Sequence, residues 1–213
     1  MKKIVLFDLD GTLTDSSEGI LNSVRYMLEK KGLPIPDGET LNSFIGPPLT
    51  DTLHELYGLT EDEGNAAVKV YREYYGEEGI KQLSVYSGIE EVLAKLVNEY
   101  YLAVATSKPE FYAKQIIENI GLSKYFSGIF GADLSGKRSK KTDVIAYALD
   151  QLEGTSAVMV GDRKFDILGA KANFLRSIGV LYGFGDQQEM IEAEADIIIA
   201  AVDELPDAVK QSF

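Results

Sequence analysis

Two carboxylates, Asp8 and Asp10, follow the apolar run Ile4–Phe7 near the start of the chain. Alternate residues of an extended strand point to the same side, so we expect both acids to project together from the carboxyl end of a strand. Two like charges about 4 Å apart repel each other by about 4 kcal/mol at an effective dielectric constant near 20. The pair therefore predicts a bound cation, a shifted proton or both, although Asp-x-Asp-Gly is also ordinary turn composition.

Two further loops carry groups that can bind anions. The run Thr106-Ser107-Lys108-Pro109 offers a hydroxyl, backbone N–H groups and a helix N-terminus to a phosphate, or it is a simple helix cap. Lys140 and Lys141 stand at the start of a predicted helix, where the helix dipole opposes a cation by about 0.3 to 1 kcal/mol. An anionic neighbour would explain that placement, and we favour Lys141 because it lies next to the helix face. We interpret Lys137, Arg138 and Lys140 as a solvated basic loop.

A second pair of acids follows a later strand. Asp162 comes directly after Gly161, and Asp166 lies one helical turn further on, which places both acids on one side of a helix start. They could simply complement the helix dipole. Because the carboxyl ends of parallel strands meet at one edge of a sheet, Asp162 and Asp166 would there join Asp8 and Asp10. Four carboxylates in one crevice call for a hard divalent cation bound by oxygen, and Mg²⁺ is the leading choice.

The pattern of apolar segments predicts an α/β fold. In the second half of the chain, short apolar strands alternate with helices of about ten residues, which is typical of a parallel sheet covered on both faces. The region before it reads as helices only: one helix ends at Gly32, and another begins with the capping-box pair Thr60 and Glu63. Ser87 with Glu90 predicts a further capping box, at the start of the next helix.

These elements define two domains. We predict a core with a Rossmann-like parallel sheet and helices on both faces from residues 1–15 and 86–213, and an inserted all-helical domain from residues 16–85. A length of 213 residues suits one domain with a large insertion. The content of 45% hydrophobic and 26% charged residues is that of a soluble globular protein.

Composition and missing motifs exclude several classes of function. The net charge of -13 argues against a nucleic acid partner, and the apolar runs are too short to span a membrane, so we expect a cytoplasmic protein. The absence of cysteine eliminates thiolate metal sites and cysteine nucleophiles, and the single histidine, His54, has no catalytic partner in the sequence. Gly183-Phe184-Gly185 does not complete a dinucleotide-binding motif, and no P-loop motif occurs.

Taken in this order, the motifs resemble those of the haloacid dehalogenase superfamily over the full length of the chain. The helical insertion resembles the mobile cap of the phosphoglycolate phosphatase and phosphoglucomutase-like branch. The dehalogenases of the superfamily lack the second acid, and its transport ATPases have a lysine at the position of Leu9, so neither activity is expected here. The matching motifs are Asp8-Leu9-Asp10-Gly11-Thr12, Thr106 at a strand end, a lysine before a helix, and Gly161-Asp162-x-x-x-Asp166.

The resemblance implies a role for each of these residues. Asp8 would be the nucleophile that forms an aspartyl-phosphate, and Asp10 would be the general acid and later the general base. The Mg²⁺ ion would be bound by Asp8, Asp162 and the carbonyl oxygen of Asp10, with Asp166 bound through water or in the outer shell. The groups that would hold the transferring phosphoryl oxygens are Thr106, Lys141 and N–H groups near Gly11 and Ser107.

The expected function is that of a Mg²⁺-dependent phosphomonoesterase for a small phosphorylated metabolite, with phosphoglycolate as the leading substrate. A 5′-nucleotidase, a pyrophosphatase and a phosphosugar mutase stay open as alternatives, and so does a non-catalytic regulatory protein of the same fold. In the cap, Arg72 and the Gly46-Pro47-Pro48 loop are either substrate contacts or a surface residue and a helix connector. The expected partner is a small-molecule phosphate ester and neither a nucleic acid polymer nor a membrane, and the expected state is a monomer or a homodimer.

Overall fold

The computed structural model describes residues 3–134, 137–153 and 156–213 of the chain. Contacts between Cα atoms divide it into two compact units. The first unit comprises Met1–Asp15 and Val85–Phe213, and the second comprises Ser16–Ser84. In the described part of the chain, every helix is too short or too polar to cross a bilayer.

A six-stranded parallel sheet forms the centre of the first unit. The strands of the chain are β1 (Lys3–Phe7), β2 (Thr14–Asp15), β3 (Ser84–Val85), β4 (Tyr101–Pro109), β5 (Phe126–Ala132), β6 (Ser156–Gly161), β7 (Arg176–Val180) and β8 (Ile197–Ile199). The order in the sheet is β5-β4-β1-β6-β7-β8, and every neighbouring pair is parallel. The strand order reverses at β1, and ligands of open α/β sheets bind beside the carboxyl ends of the strands at such a switch point. Asp8 is the first residue after β1.

The helices of the two units follow each other along the chain. Helices α1 to α4 lie in the second unit, and α5 to α10 lie in the first. Single 3₁₀ turns occur at Gly79–Lys81, Ser123–Tyr125 and Val202–Glu204. The helices are α1 (Ser17–Lys31), α2 (Gly38–Asn42), α3 (Leu49–Tyr57), α4 (Glu61–Glu77), α5 (Ile89–Leu96), α6 (Glu110–Asn119), α7 (Lys141–Leu152), α8 (Lys164–Ala172), α9 (Gln187–Glu192) and α10 (Leu205–Gln211).

The middle strand β1 is buried on both of its faces. Ile4 and Leu6 pack into one apolar cluster with side chains of α7 and α8. Val5 and Phe7, which point to the opposite face, are fully buried as well. A strand with no exposed face has no polar position, which is why it reads as a continuous apolar run until its end. The first carboxylate therefore follows the strand directly and marks its carboxyl end.

The α/β class that the sequence predicts is confirmed by the parallel sheet and the helices around it. Two local predictions are confirmed as well. Helix α1 ends at Gly32, which has a φ of 66° as a left-handed C-cap. At the start of α4, the N–H of Glu63 donates to Thr60 Oγ1 at 3.4 Å and the N–H of Thr60 donates to Glu63 Oε2 at 2.9 Å, which completes the capping box.

The capping box predicted for Ser87 and Glu90 is wrong. Helix α5 begins after Gly88, which has a φ of 87° and no side chain to cap the helix. The carboxylate of Glu90 instead accepts hydrogen bonds from Lys124 Nζ at 2.9 Å and from the Tyr125 hydroxyl at 3.1 Å. Glu90 therefore binds residues that are distant in the sequence instead of capping its own helix. The short strands β2 and β3 were not predicted, because two residues carry no periodic pattern.

Close packing within the second unit depends on Gly19 of α1. Its N–H donates to the carbonyl oxygen of Gln82 at 3.1 Å. A Cβ at Gly19 would overlap the carbonyl oxygen of Gly79 and would lie 2.9 Å from that of Gln82. The helix can therefore reach the 3₁₀ turn at Gly79–Lys81 only without a side chain at this position.

We expect Gly19→Ala to lower the free energy of unfolding by about 1 to 3 kcal/mol, because the added methyl group meets rigid backbone atoms. Within a helix, alanine is otherwise more favourable than glycine by about 1 kcal/mol. A decrease in the free energy of unfolding would therefore show that the added methyl group disturbs the packing. The matched control is Gly38→Ala in α2, where an added Cβ meets open space and stability should be unchanged or higher. Urea unfolding of both variants measures the difference, and a more stable Gly19→Ala would contradict the packing described for α1.

Candidate active site

Three carboxylates converge at the carboxyl end of the sheet. Asp8 follows β1, Asp162 follows β6, and Asp166 lies in the first turn of α8. One ligand oxygen from each of them lies within 4.8 Å of the others. Asp162 and Asp166 are fully buried, and Asp8 is 9% exposed. The structure thus brings together three of the four acids that the sequence placed in one crevice.

The ammonium group of Lys141 lies among these acids. Its Nζ is 2.8 Å from Asp8 Oδ1 and 2.7 Å from Asp166 Oδ1, and it donates to the carbonyl oxygen of Ala105 at 3.1 Å. Burial alone would lower the pKa of Lys141, but the carboxylates of Asp166 and Asp8 outweigh burial and raise this pKa above its ordinary value. Gly169 of α8 makes room for the stem, since a Cβ there would lie 2.9 Å from Lys141 Cγ. Lys141 is therefore a buried, permanently charged cation.

Burial also acts on the acids themselves. It raises the pKa of Asp162 well above its ordinary value, and the charges of Asp166 and Asp8 raise it further. Two hydrogen bonds oppose this change, from the Thr12 hydroxyl at 3.1 Å and from the Phe184 N–H at 2.9 Å. Burial raises the pKa of Asp166 to about 6, against the stabilising charge of Lys141. Ionisation of these acids is therefore costly unless another positive charge is present.

The donor set fits a hard divalent cation. Ionised Asp8, Asp162 and Asp166 carry three negative charges, and Lys141 compensates one of them. The buried Asp166 Oδ1 has Lys141 Nζ at 2.7 Å as its ion-pair partner, and a carboxylate oxygen has a second lone pair with which to bind a cation. Buried carboxylate oxygens with two negative charges in excess match the ligand preference of Mg²⁺.

The side chain of Asp10 lies outside this group of acids. Its Oδ2 is 2.8 Å from Lys108 Nζ, in an ion pair whose side chains are 19% and 6% exposed. Of Asp10, only the carbonyl oxygen remains a candidate metal ligand. The local sequence indicates no role for Lys108 beyond its loop. Its position two residues after Thr106 indicates that Lys108 lies near the site. Only the fold shows that its ammonium group turns back to Asp10.

The other phosphate-binding candidates lie near the same strand ends. Thr106 is buried, and its Oγ1 accepts the N–H of Lys108 at 3.2 Å, while Ser107 is half-buried. Gly11 has a φ of 82°, and a Cβ there would overlap the carboxylate of Asp162. The N–H of Gly11 already donates to the carbonyl oxygen of Thr14 at 2.7 Å. Gly11 therefore provides space for Asp162 rather than a donor for the substrate.

The basic loop before α7 is only partly solvated. Lys137 and Lys140 are exposed, as expected for a solvated loop. Arg138, however, donates to the carbonyl oxygen of Gly131 at 2.9 Å and pairs with Glu110 at 3.2 Å, and its guanidinium lies 3.8 Å from the centre of the Tyr147 ring. The pairing with Glu110 could not be anticipated, because this residue is distant in the sequence.

Three further candidates lie in the second unit. His54 has Nδ1 2.9 Å from the carbonyl oxygen of Leu59, a local contact at the end of α3. Arg72 is half-buried on α4. The run Gly46-Pro47-Pro48 joins α2 to α3, and Gly46 has a φ of 108° that other residues rarely adopt. His54 is therefore accounted for as a structural residue of this unit, whereas a substrate contact by the loop or by Arg72 stays a prediction.

Comparisons with known proteins identify relatives over most of the chain. Residues 5–180 match the family model of the haloacid dehalogenase-like hydrolases. The chain is 43% identical over 190 residues to a 5′-nucleotidase from Pseudomonas aeruginosa, with 87% of this chain and 86% of that protein covered. It is 39% identical to tyrosine-protein kinase PtkA from Mycobacterium tuberculosis, with 97% and 72% covered. It is 32% identical to a phosphoglycolate phosphatase from Neisseria meningitidis, with 94% and 91% covered.

The comparison of structures agrees with that of sequences. A solved structure described as a predicted phosphatase from Clostridium acetobutylicum is 45% identical, has a TM-score of 0.95 and covers 99% of each chain. The resemblance that the motifs indicated is thereby confirmed. The chain belongs to the haloacid dehalogenase-like hydrolase family.

Proposed function

We propose that the chain is a Mg²⁺-dependent phosphatase that hydrolyses small phosphate monoesters through an aspartyl-phosphate on Asp8. Its family is one of hydrolases, and relatives named 5′-nucleotidase and phosphoglycolate phosphatase support action on phosphate esters. The observation that carries the proposal is the placement of Asp8, 2.8 Å from Lys141 Nζ and beside the oxygens of Asp162 and Asp166. The Lys141 ammonium, together with a cation held by the neighbouring acids, would lower the repulsion between the Asp8 carboxylate and an anionic ester.

In the first step, a carboxylate oxygen of Asp8 attacks the phosphorus, and the P–O bond to the alcohol breaks. The leaving oxygen takes a proton from Asp10, the general acid. The N–H of Leu9 and the ammonium of Lys141 both bind Asp8 Oδ1, at 2.7 and 2.8 Å, and so orient the carboxylate before attack. Lys108 would have to release Asp10 so that this carboxyl group can carry the proton.

In the second step, water attacks the phosphorus and gives a proton to Asp10. The bond between phosphorus and the Asp8 oxygen breaks, so inorganic phosphate and the Asp8 carboxylate are released. Lys141 and Thr106 hold the phosphoryl oxygens in both steps. The Oγ1 of Thr106 accepts an N–H at 3.2 Å, so its own O–H can be donated to a phosphoryl oxygen.

The cation would be held by Asp8 and Asp162, with Asp166 and the carbonyl oxygen of Asp10 as further oxygens. When bound, Mg²⁺ supplies positive charge that lowers the repulsion between the Asp8 carboxylate and the phosphate dianion. Lys141 supplies part of the same charge permanently, because its pKa is raised by Asp166 and Asp8.

Among the substrate classes, a nucleoside 5′-monophosphate stands ahead of phosphoglycolate. The relative named 5′-nucleotidase is 43% identical to this chain, whereas the named phosphoglycolate phosphatase is 32% identical. Pyrophosphate stays a further candidate substrate. The family resemblance predicts that the second unit acts as a mobile cap that sets selectivity. Arg72 is a candidate substrate contact in this cap.

A second candidate function is phosphoryl transfer to a hydroxyl group instead of water. The relative named tyrosine-protein kinase covers 97% of this chain at 39% identity, and a phosphosugar mutase would use the same type of transfer. The intermediate on Asp8 would be identical, and Asp10 would take the proton of the acceptor hydroxyl. Release of inorganic phosphate separates the two functions: a phosphorylated acceptor or isomerised sugar phosphate without free phosphate would refute the hydrolase.

We expect Asp8→Asn to lower phosphate release at least about 10³-fold, because the amide is not a nucleophile at phosphorus. The assay is a panel of metabolite phosphates with Mg²⁺, run in parallel with excess EDTA, together with mass spectrometry of acid-quenched enzyme to detect the phosphoryl adduct. The control is Asp143→Asn, which neutralises an exposed carboxylate of α7. Unchanged hydrolysis by Asp8→Asn would refute the covalent mechanism.

We expect Lys141→Ala to lower kcat/KM by about 10² to 10³-fold, because it removes a buried positive charge from the developing transition state. Lys140→Ala should change it less than about twofold, since this neighbouring side chain is exposed. Both variants are assayed with the best substrate of the panel after circular dichroism has verified their fold. Equal losses in the two variants would show that the wrong lysine is assigned.

A further inference from the structure

The Gly183-Phe184-Gly185 segment, which does not complete a dinucleotide-binding motif, lies against Asp162. The N–H of Phe184 donates to Asp162 Oδ2 at 2.9 Å. A Cβ at Gly183 would overlap both Asp162 and the carbonyl oxygen of Gly11, and a Cβ at Gly185 would overlap the carbonyl oxygen of Asp162. The two glycines therefore allow the backbone to contact this acid directly.

The same segment continues into α9, where Glu189 contacts the other side of the acidic loop. Its carboxylate accepts Arg163 Nε at 3.0 and 3.2 Å and the backbone N–H of Lys164 at 2.8 Å. The Arg163 and Glu189 side chains are only 21% and 16% exposed, so solvent screens this pair less than a surface ion pair. Asp186 caps α9 by accepting the backbone N–H of Glu189 at 2.8 Å, which holds the backbone of Glu189 at the start of the helix.

The contacts of Glu189 lead directly to Asp166. The backbone N–H of Arg163 donates to Asp166 Oδ2 at 3.1 Å, and Lys164 is the first residue of the helix that carries Asp166. Glu189 therefore holds the side chain of Arg163, whose N–H orients this acid, and the backbone N–H of the residue that follows Arg163. Asp162 and Asp166 repel each other and Asp8, so without such restraint the loop would relax by turning its carboxylates apart.

We propose that Glu189 is a positioning residue that keeps Asp162 and Asp166 convergent for the cation. It touches neither the metal nor the substrate and acts through Arg163 and the N–H of Lys164. The inference rests on the metal site of the proposed function. Outer partners that orient metal ligands typically change metal affinity by 10- to 100-fold when they are removed.

The test is Mg²⁺ binding to metal-free enzyme, measured by isothermal titration calorimetry well below the unfolding temperature of each variant. We expect Glu189→Ala to weaken Mg²⁺ binding about tenfold. Glu189→Gln should lie between wild type and Glu189→Ala, because its amide oxygen can still accept the N–H of Lys164. The matched control is Glu192→Ala, one turn along α9, whose exposed carboxylate accepts a hydrogen bond from Gln188 on the same helix. This control should bind Mg²⁺ within about twofold of wild type.

Several outcomes would overturn the inference. One is a folded Glu189→Ala that binds Mg²⁺ as tightly as wild type, even if its unfolding temperature is lower, because Glu189 would then be only structural. Another is an equal loss in Glu192→Ala, because the effect would then come from total charge. If Glu189→Ala does not fold, Glu189→Gln decides alone, and wild-type affinity in that variant refutes the proposal.

Mg²⁺ binding needs no substrate, so the experiment also separates this inference from the proposed function. If the wild-type protein binds Mg²⁺ but hydrolyses no ester of the panel, the proposed phosphatase function is refuted. The Glu189 variants would then still support or overturn the role of Glu189 in Mg²⁺ binding. Wild type that does not bind Mg²⁺ would refute both.

Discussion

Burial of like charges is the constraint on which the rest of the site depends. Asp8, Asp162 and Asp166 place three carboxylate oxygens within 4.8 Å of one another, and the buried ammonium of Lys141 compensates one charge. An uncompensated carboxylate in such a site is costly, which is why burial raises the pKa of Asp162 and of Asp166. The same excess of negative charge, unfavourable on its own, is what the proposed divalent cation would compensate. Structure and proposed chemistry therefore have one electrostatic origin.

The fold resists this repulsion with backbone contacts from separate parts of the sheet. Asp162 receives hydrogen bonds from Thr12 and from the N–H of Phe184, at 3.1 and 2.9 Å, and Asp166 receives one from the N–H of Arg163. Gly11 is required where the first loop approaches Asp162, because any side chain would overlap that acid. Loops after β1, β6 and β7 meet at these acids, and parallel neighbouring strands bring their carboxyl ends to one edge. The sheet order is thus what makes the cluster possible.

Part of this arrangement could be predicted because it is local or periodic. The apolar run of β1 and the acid that follows it identify a buried strand and its end, and the pair Thr60 and Glu63 identifies the start of α4. Lys141 could be preferred over Lys140 because only one of two adjacent residues can face the sheet from a helix start. Long-range contacts could not be predicted: Glu90 binds Lys124 instead of capping its helix, because a distant ion pair leaves no trace in the local pattern.

The sequence by itself determined the α/β class, the acids that end the strands and the family to which the chain belongs, because strand burial, helix periodicity and motif spacing are all encoded in neighbouring residues. Only the tertiary structure decided how these groups are partnered. It turned Asp10 towards Lys108, gave Gly11 a spatial role, and set Glu189 against the loop that carries Asp162 and Asp166. Such contacts join residues that are far apart along the chain, and their distances follow from the packing of the sheet rather than from any local preference.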